Sequence, residues 1–557
     1  MKHLDLVCLA AEKAKTLELL RQLGVMHLDI STAVGQEVAA AKGDVADAEK
    51  AVRLILKARG KSRDYDIRPH SVAEVLAVES DRQTLLAEKE RLEREIRFFE
   101  PYGDFDPALA QRLKTAVPEL PDVVALPPRM PAMRLSRMQE KLARVENRLG
   151  IDLAKLAQTD EKKILASYPE LADRVAFAAA KELMAEKGAL AVVSGWVPEP
   201  LVPKVMEQVV GKSGETLFDR VAKPGWGVLL RDPAEGETPP TLIEPPKVFR
   251  PVKALFEGLG VSPAYTEADV SVPFLCYFAL FFAMLVGDGA YGAIFLCATL
   301  ALRRKLPRSW FVLLTVFSSA TIVWGVLSNT WFGAQLPMLR SLPTVAWLSD
   351  PSYNNMMLLC FTIGVSHLML ARIWNGICRL PDSTAAAEFG WAGVLLMMYL
   401  VTNSIVGIFP SLPTWGIWLG GVSIAAIFLF SVKPSELKTR GAELGMLPLN
   451  IMSALGDIIS YVRLFAVGLA SVKVAENFNN MAVGLVQGDD AWWVKALLAV
   501  AMVAILIFGH VLNLMMAGLS ILVHAVRLNT LEFSNHKGIT WSGYAFSPFR
   551  KNKEVTR

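Results

Sequence analysis

Apolar and polar positions divide this chain into two halves of different texture. Up to residue 250 the apolar residues are interspersed with charges at short-element periods. LDLVCL (4–9) alternates as a strand does, AEKAKTLELLRQL (11–23) carries a helical period, and VMHLDI (25–30) again reads as strand, which predicts a small α/β unit. Two charged helical stretches follow. RQTLLAEKERLEREIRFFE (82–100) places Leu85, Leu92 and Phe99 seven apart with Ile96 beside them. RLSRMQEKLARVENRLG (134–150) spaces Leu135, Met138, Leu142, Val145 and Leu149 by 3, 4, 3, 4, a coiled-coil seam with Gly150 as its stop. The two either pair antiparallel as a stalk across the connector PELPDVVALPPRMP (118–131), or lie as ordinary amphipathic helices on a globular core. LAVVSGWVPEPLVPKVMEQVV (190–210) predicts a second strand–helix unit, and Pro239, Pro240, Pro245, Pro246 and Pro251 mark a linker.

Beyond the linker the apolar residues come in runs, near 272–302, 309–335, 354–374, 390–410, 413–432, 446–470 and 491–528. About 20 apolar residues cross the ~30 Å of bilayer hydrocarbon. The first run exceeds that and is interrupted by GDGAYG (287–292), so it is one long helix or a tight hairpin. Loop charge favours the hairpin. Arg303, Arg304, Lys305 and Arg308 follow the first run, Arg372 and Arg379 the third, Lys433, Lys438 and Arg440 the fifth, and Lys537, Arg550, Lys551, Lys553 and Arg557 lie in the tail. The alternate loops offer little beyond Arg340 and Lys473. The positive-inside rule then puts both ends in the cytoplasm, which needs an even number of spans; splitting the first run gives eight.

Composition sharpens the division. Of the 54 acidic residues, 39 precede residue 251 and 15 follow it, while 53% of the chain is hydrophobic. The fold class expected is an N-terminal cytoplasmic α/β domain with long coiled-coil helices, followed by an all-α membrane domain of eight transmembrane helices. The net charge of +4 gives no argument for nucleic acid. MKHLDLVCLAAEKAK lacks the pattern of a signal peptide. Cys8, Cys276, Cys297, Cys360 and Cys378 form no metal-spaced cluster and read as packing residues. GKS at 211–213 ends like a phosphate-binding loop, but Met206 stands where that loop needs glycine, and no other enzyme motif occurs. No catalytic chemistry, cofactor or metal is expected in this chain.

The runs do contain ionisable residues: Asp288, His367, Asp457, Arg463, His510, His524 and Arg527, with Arg372 near an end. A guanidinium cannot shed its charge, and at a bilayer centre it costs at least roughly 2.5–3.5 kcal/mol. Asn450, Ser453, Asp457 and Ser460 are spaced 3, 4, 3, with Arg463 three later. His510, Asn513, Ala517, Ser520, His524 and Arg527 are spaced 3, 4, 3, 4, 3, with an apolar gap at Ala517. Each set shares one helix face, and such stripes face a bundle interior or a wet cavity, where they form ion pathways and proton relays. Plainer readings stand beside this one. Either arginine can snorkel to an interface, either histidine can pack, and Asp457 can pair internally with an arginine.

GDIISYVRLFAVGLA (456–470) and HAVRLNTLEF (524–533) resemble the last two transmembrane helices of subunit a, also called subunit I, of rotary V-type and A/V-type ATPases. FFAMLVGDGAYG (281–292) resembles that family's first membrane hairpin, GVLSNTWFG (325–333) its next span, SGWVPE (194–199) its cytoplasmic domain and YAFSPFR (544–550) its tail. The likeness runs in family order over almost the whole chain, and SYVRLFA is its most specific part.

The resemblance implies a stator: a cytoplasmic collar (1–250) binding peripheral stalk subunits of the E/G type, a linker (251–271), an ion-translocating membrane domain (272–533) and a cytoplasmic tail (534–557). It implies two long tilted helices facing a proteolipid c-ring, two offset half-channels for protons or sodium, and assembly with an ATPase head and a central-stalk adaptor. The setting implied is a prokaryotic plasma membrane. Carried onto this sequence, Arg463 is the ring-facing arginine and Arg527 the second one. His524 is placed to relay protons, and Asp457, Ser460, His510, Asn513, Ser520 and Asp288 are candidate channel-lining groups. Many relatives carry glutamate ten residues before the second arginine; Ala517 stands there here, leaving His510 or Asp457 to take over. The rival readings are a secondary transporter with a cytoplasmic regulatory domain, which predicts two similar membrane halves that are not seen, and a membrane scaffold without an ion path.

Overall fold

The computed structural model describes residues 1–30, 33–58, 69, 71–116, 127–210, 226–234, 236–334, 347, 353–432, 444–486 and 492–551. Residues 211–213, most of the connector 118–131, and Arg340, Lys433, Lys438, Arg440, Lys553 and Arg557 fall outside them. The chain divides into two units, Met1–Glu237 with Ser547–Arg557, and Thr238–Phe546.

In the first unit the order is β1 (Lys2–Leu9), α1 (Lys13–Leu23), α2 (Gln36–Ala58), α3 (Val72–Phe99), α4 (Pro107–Ala116), α5 (Leu135–Gln158), α6 (Glu161–Leu183), β2 (Ala185–Lys187), β3 (Leu190–Val197), α7 (Val202–Val210) and β4 (Gly227–Arg231). The strands form one sheet in the order β2-β3-β1-β4, with every pair antiparallel. Alternation sets its inner face: Leu4, Leu6 and Cys8 sit opposite Gly195, Val193 and Ala191. Leu17, Leu20, Met184, Trp226 and Phe549 complete that core. The Phe549 amide donates to the Met26 carbonyl at 2.7 Å, so residues 547–551 are built into this unit.

The expected strand at 25–30 is reduced to one bridge, His27 to Trp196. The first half of that edge of β3 is taken by β2, and the Ile30 amide turns back to Leu28. Both expected strand–helix units form, β1 with α1 and β3 with α7, and their strands pair in one antiparallel sheet. A side chain at Gly195 would meet the His27 carbonyl at 2.4 Å, so only glycine lets that segment close on the sheet. The helices α3 and α5 run antiparallel: Lys89 pairs with Glu146, Lys141 with Glu88, and Val75 clusters with Leu156. Leu92, Phe99, Met138 and Val145 are buried along the seam. Gly150 does not stop α5, which continues to Gln158. A mid-helix glycine costs about 1 kcal/mol, which the packing of Leu153 and Leu156 in the next turns outweighs.

The second unit is helical. It comprises α8 (Val252–Leu259), α9 (Ser271–Val286), α10 (Gly289–Ala301), α11 (Arg308–Ser328), α12 (Asn354–Arg379), α13 (Thr384–Ile405), α14 (Thr414–Phe430), α15 (Leu447–Ile459), α16 (Val462–Gly484) and α17 (Trp492–Ser520), then π-helical turns at Ile521–Ala525 and Leu528–Phe533. Among the described residues five helices are long and apolar enough to cross a membrane: Arg308–Ser328, Asn354–Arg379, Thr384–Ile405, Leu447–Gly484 and Trp493–Lys537. The other apolar helices are short. At 1.5 Å per residue α9, α10 and α14 reach only about 20–26 Å, and α9 bends into α10 by 118°. By the same measure the 38-residue and 45-residue helices near the end reach about 57 and 68 Å, far more than an upright crossing needs.

The bend has a definite cause. Gly287 takes a left-handed φ of 68°, and Asp288 caps α10. One Asp288 oxygen accepts from the amides of Ala290 (2.8 Å) and Tyr291 (3.4 Å), the other from Gly333 (2.7 Å). Asp288 is 1% exposed, so the carboxylate is bound by amides and sealed in.

Two stability predictions follow from these anchors. Phe549→Ala removes a core aromatic and lowers unfolding stability of the first unit by about 3–5 kcal/mol, measurable by chemical denaturation. Asp288→Ala strands three amide donors and lowers the thermal midpoint of the detergent-solubilised protein, with a cost of at least about 2 kcal/mol; Asp288→Asn, which keeps an acceptor, costs less.

Candidate functional site

Helix periodicity places the two polar stripes. On α15 and α16 the buried row includes Ala454, Ile458, Tyr461, Leu464, Gly468 and Ser471. Ser453, Asp457, Ser460 and Arg463 each fall one position ahead of that row, about 100° round the helix. The stripe thus flanks the buried face rather than occupying it. On the last helix Asn513 and Ala517 are buried, at 1% and 2% exposure. Ser520, His524 and Arg527 again precede the buried Ile521, Ala525 and Leu528 by one. Spacings of 3 and 4 are tighter than the helix itself, which widens into π turns here, so the polar residues drift off the buried row. Next to them lies an exposed apolar face that includes Met515, Met516, Leu519, Leu522 and Val523.

The two arginines converge on a residue that the sequence reading overlooked. Glu532, 6% exposed, has its Oε1 at 3.3 Å from the Arg527 Nε and 4.0 Å from an Arg463 terminal nitrogen. Arg463 is 26% exposed and Arg527 52%. Residues five apart diverge on an α-helix, and the π turn at Leu528–Phe533 brings Glu532 round to Arg527. The π geometry was the missing signal. Arg463 itself follows a turn at Ser460–Tyr461 where α15 gives way to α16. The fully buried Tyr461 shares a hydrogen bond with His367 Nδ1 at 2.8 Å, and His367 stacks between Tyr277 and Phe533. His524 is half-buried, its Nδ1 enclosed without a hydrogen-bond partner.

Two cavities lie along the same helix on either side of Arg463. One, of about 580 Å³, is lined by Asn450, Ser453, Asp457, Arg372, Asn535 and His536. Arg372 Nε donates to His536 Nδ1 at 3.1 Å, which leaves the His536 proton on Nε2, 3.0 Å from Asp457 Oδ2. Arg372 and Arg379 both bind Glu388, at 3.0 and 3.1 Å. Asp457 thus pairs internally, through a histidine rather than directly with an arginine. The Ser460 hydroxyl donates to the Asp457 carbonyl. The second cavity, about 490 Å³, is lined by Leu464, Gly468, Val472, Lys473, Glu476, Asn479 and Ser328 among others.

His510, Asn513, Ser520 and Asp288 are not among the residues lining either cavity. His510 Nδ1 is 2.8 Å from the Tyr291 hydroxyl, and Asn513 donates to Tyr291 (3.1 Å) and to the Ser471 carbonyl (2.8 Å). His510, Asn513 and Tyr291 therefore form one polar cluster; Ser520 lies outside it. Asp288 is committed to its cap. Among the described residues no group of three or more His, Cys, Asp or Glu side chains is placed to hold a metal.

No family model matches the chain. Individual relatives do. The V-type ATP synthase subunit I of Borreliella burgdorferi is 33% identical over 62% of this chain and 60% of its own length. The V-type ATP synthase subunit I 1 of Treponema pallidum is 28% identical over 99% of both chains. The A-type ATP synthase subunit I of Methanocaldococcus jannaschii is 24% identical over 76% of this chain and 65% of its own. The matched region thus spans less than two thirds of the Borreliella and Methanocaldococcus proteins and nearly all of the Treponema one. With long apolar helices, paired arginines beside an exposed apolar face and these relatives in agreement, this chain is a homologue of the subunit I (subunit a) proteins of V-type and A-type ATP synthases.

Proposed function

We propose that this chain is the membrane stator of a rotary ATPase or ATP synthase and forms two ion half-channels against a ring of proteolipid subunits. The observation that carries this reading is the position of Arg463, at the turn between α15 and α16 with a cavity on each side and an apolar helix face exposed nearby. A ring carboxylate crosses lipid only when neutral, because an exposed carboxylate there is costly. A fixed guanidinium at the interface favours the ionised form, so an arriving carboxylate releases its proton or sodium ion and reloads on the other side. Arg463 cannot deprotonate and therefore also bars direct leakage between the half-channels.

The residues take roles from their places. Asp457 and Ser460, with His536, serve the Asn450–Asp457 cavity; His510 and Asn513 support the wall of the other. His524 relays protons or orders water between Ser520 and Arg527. Asp288 fixes the α9–α10 hairpin. Counting that hairpin as two spans and α14 as a third, beside the five long helices, gives eight, an even number that keeps the first unit and the tail on the cytoplasmic side of a prokaryotic plasma membrane. The first unit acts as the collar for peripheral stalk subunits, and the ATPase head with its central-stalk adaptor carries the catalysis. The secondary-transporter reading is disfavoured because the polar groups concentrate at one end of the membrane unit.

Arg463→Ala is expected to abolish ATP-driven ion transport and coupled synthesis in proteoliposomes while the complex still assembles; coupled transport near the wild-type rate would sink the reading. Arg463→Lys is expected to transport poorly, since a desolvated lysine can lose its proton. Affinity purification of the tagged chain discriminates the rival: a stator brings ATPase head, stalk and ring subunits with it, and a lone transporter does not.

A further inference from the structure

We propose that Glu532 is the internal counter-ion of Arg463 and Arg527, a fixed carboxylate that leaves one unneutralised positive charge at the site for an incoming carboxylate. The proposal rests on the stator reading above. Two guanidiniums held near one point repel, and the contacts on both run to a single oxygen, Glu532 Oε1. The other oxygen, Oε2, is buried without a hydrogen-bond partner, so the carboxylate is not held by a ladder of amides as Asp288 is. Its compensation is the arginine pair. The distances are graded as well: 3.3 Å to Arg527 and 4.0 Å to Arg463, which leaves Arg463 the looser partner. The π turn is what makes the arrangement possible, because it joins positions 527 and 532 on one face.

The groups that face Glu532 are few. Arg463, Asp457 and Tyr461 come from the α15–α16 break and Arg527 from its own helix, His524 lies near both arginines, and His367 of α12 stacks on the neighbouring Phe533. Within the Arg463–Arg527–Glu532 triad the charges sum to one positive, and Asp457 outside it is hydrogen-bonded to His536. Without Glu532 the pair presents two, and an arriving carboxylate is held ionised more strongly and reloads less readily. Glu532 is in this sense a positioning residue: it touches no ion itself and sets how strongly the arginines hold what does.

The test uses the intact complex reconstituted in proteoliposomes, with ATP-driven transport measured against proton concentration and, separately, sodium concentration. Glu532→Gln is expected to move the half-maximal ion concentration upward by about tenfold, one unit of the carboxylate's affinity scale. Arg527→Gln/Glu532→Gln, which brings the local charge back to one, is expected to return that midpoint toward wild type. An unshifted midpoint in Glu532→Gln, or a double variant no closer to wild type than the single one, overturns the proposal. If Glu532→Gln does not assemble, the double variant is expected to assemble with a near wild-type midpoint, and its failure to do so also overturns it. Arg463→Ala in the same assay separates the two levels. Transport that survives Arg463→Ala defeats the stator reading, whereas transport lost there with an unshifted Glu532→Gln midpoint defeats only the counter-ion.

Discussion

The membrane unit is organised around a charge that cannot be removed. A carboxylate or lysine in an apolar setting can neutralise itself by shifting its pKa, and arginine cannot. Its surroundings must supply water, a counter-charge, or both. Here Arg463 has a carboxylate at 4.0 Å and a cavity on either side along its helix. The turn at Ser460–Tyr461, the π turns of the last helix and the stacked His367 all bear on where that guanidinium ends. These features are locally unfavourable: a broken helix, wide turns and a buried histidine. Together they hold a cation beside an apolar surface without burying it fully.

Much of this was legible as pattern. The change in texture near residue 250, the paired seams and the two polar stripes follow from apolar spacing alone. Their absolute orientation did not. The stripes were read as facing a bundle interior or a wet cavity; both lie one position off the buried row, Asn450, Ser453 and Asp457 lining a cavity, and on the last helix the offset opens where the helix widens into π turns. Glu532 escaped notice for the same reason, since Arg527 and Glu532 diverge on the α-helix that a sequence pattern assumes. His536 escaped because its partners, Arg372 and Asp457, are far away in sequence. Gly150 misled in the other direction: a local stop signal worth about 1 kcal/mol yields to tertiary packing.

Asp288 and Glu532 show how environment separates two residues of one chemical type. Both are carboxylates almost sealed from solvent. Asp288 is surrounded by three amide donors from two segments and acts as a structural clasp. Glu532 instead faces two guanidiniums, both through one oxygen. The sequence offers Asp288 as a channel-lining candidate because it stands in an apolar run, whereas its hydrogen bonds give it the part of a cap.

Phe549 carries a consequence for how the molecule is made. It lies in the core that β1 and α1 begin, although more than five hundred residues separate it from them. A ribosome delivers the strands and helices of the first unit early, yet that core lacks an aromatic side chain until the last membrane helix has been synthesised. The first unit reaches its final packing only in chains whose membrane half has been translated through. Chains truncated before residue 549 therefore keep a gap in that core.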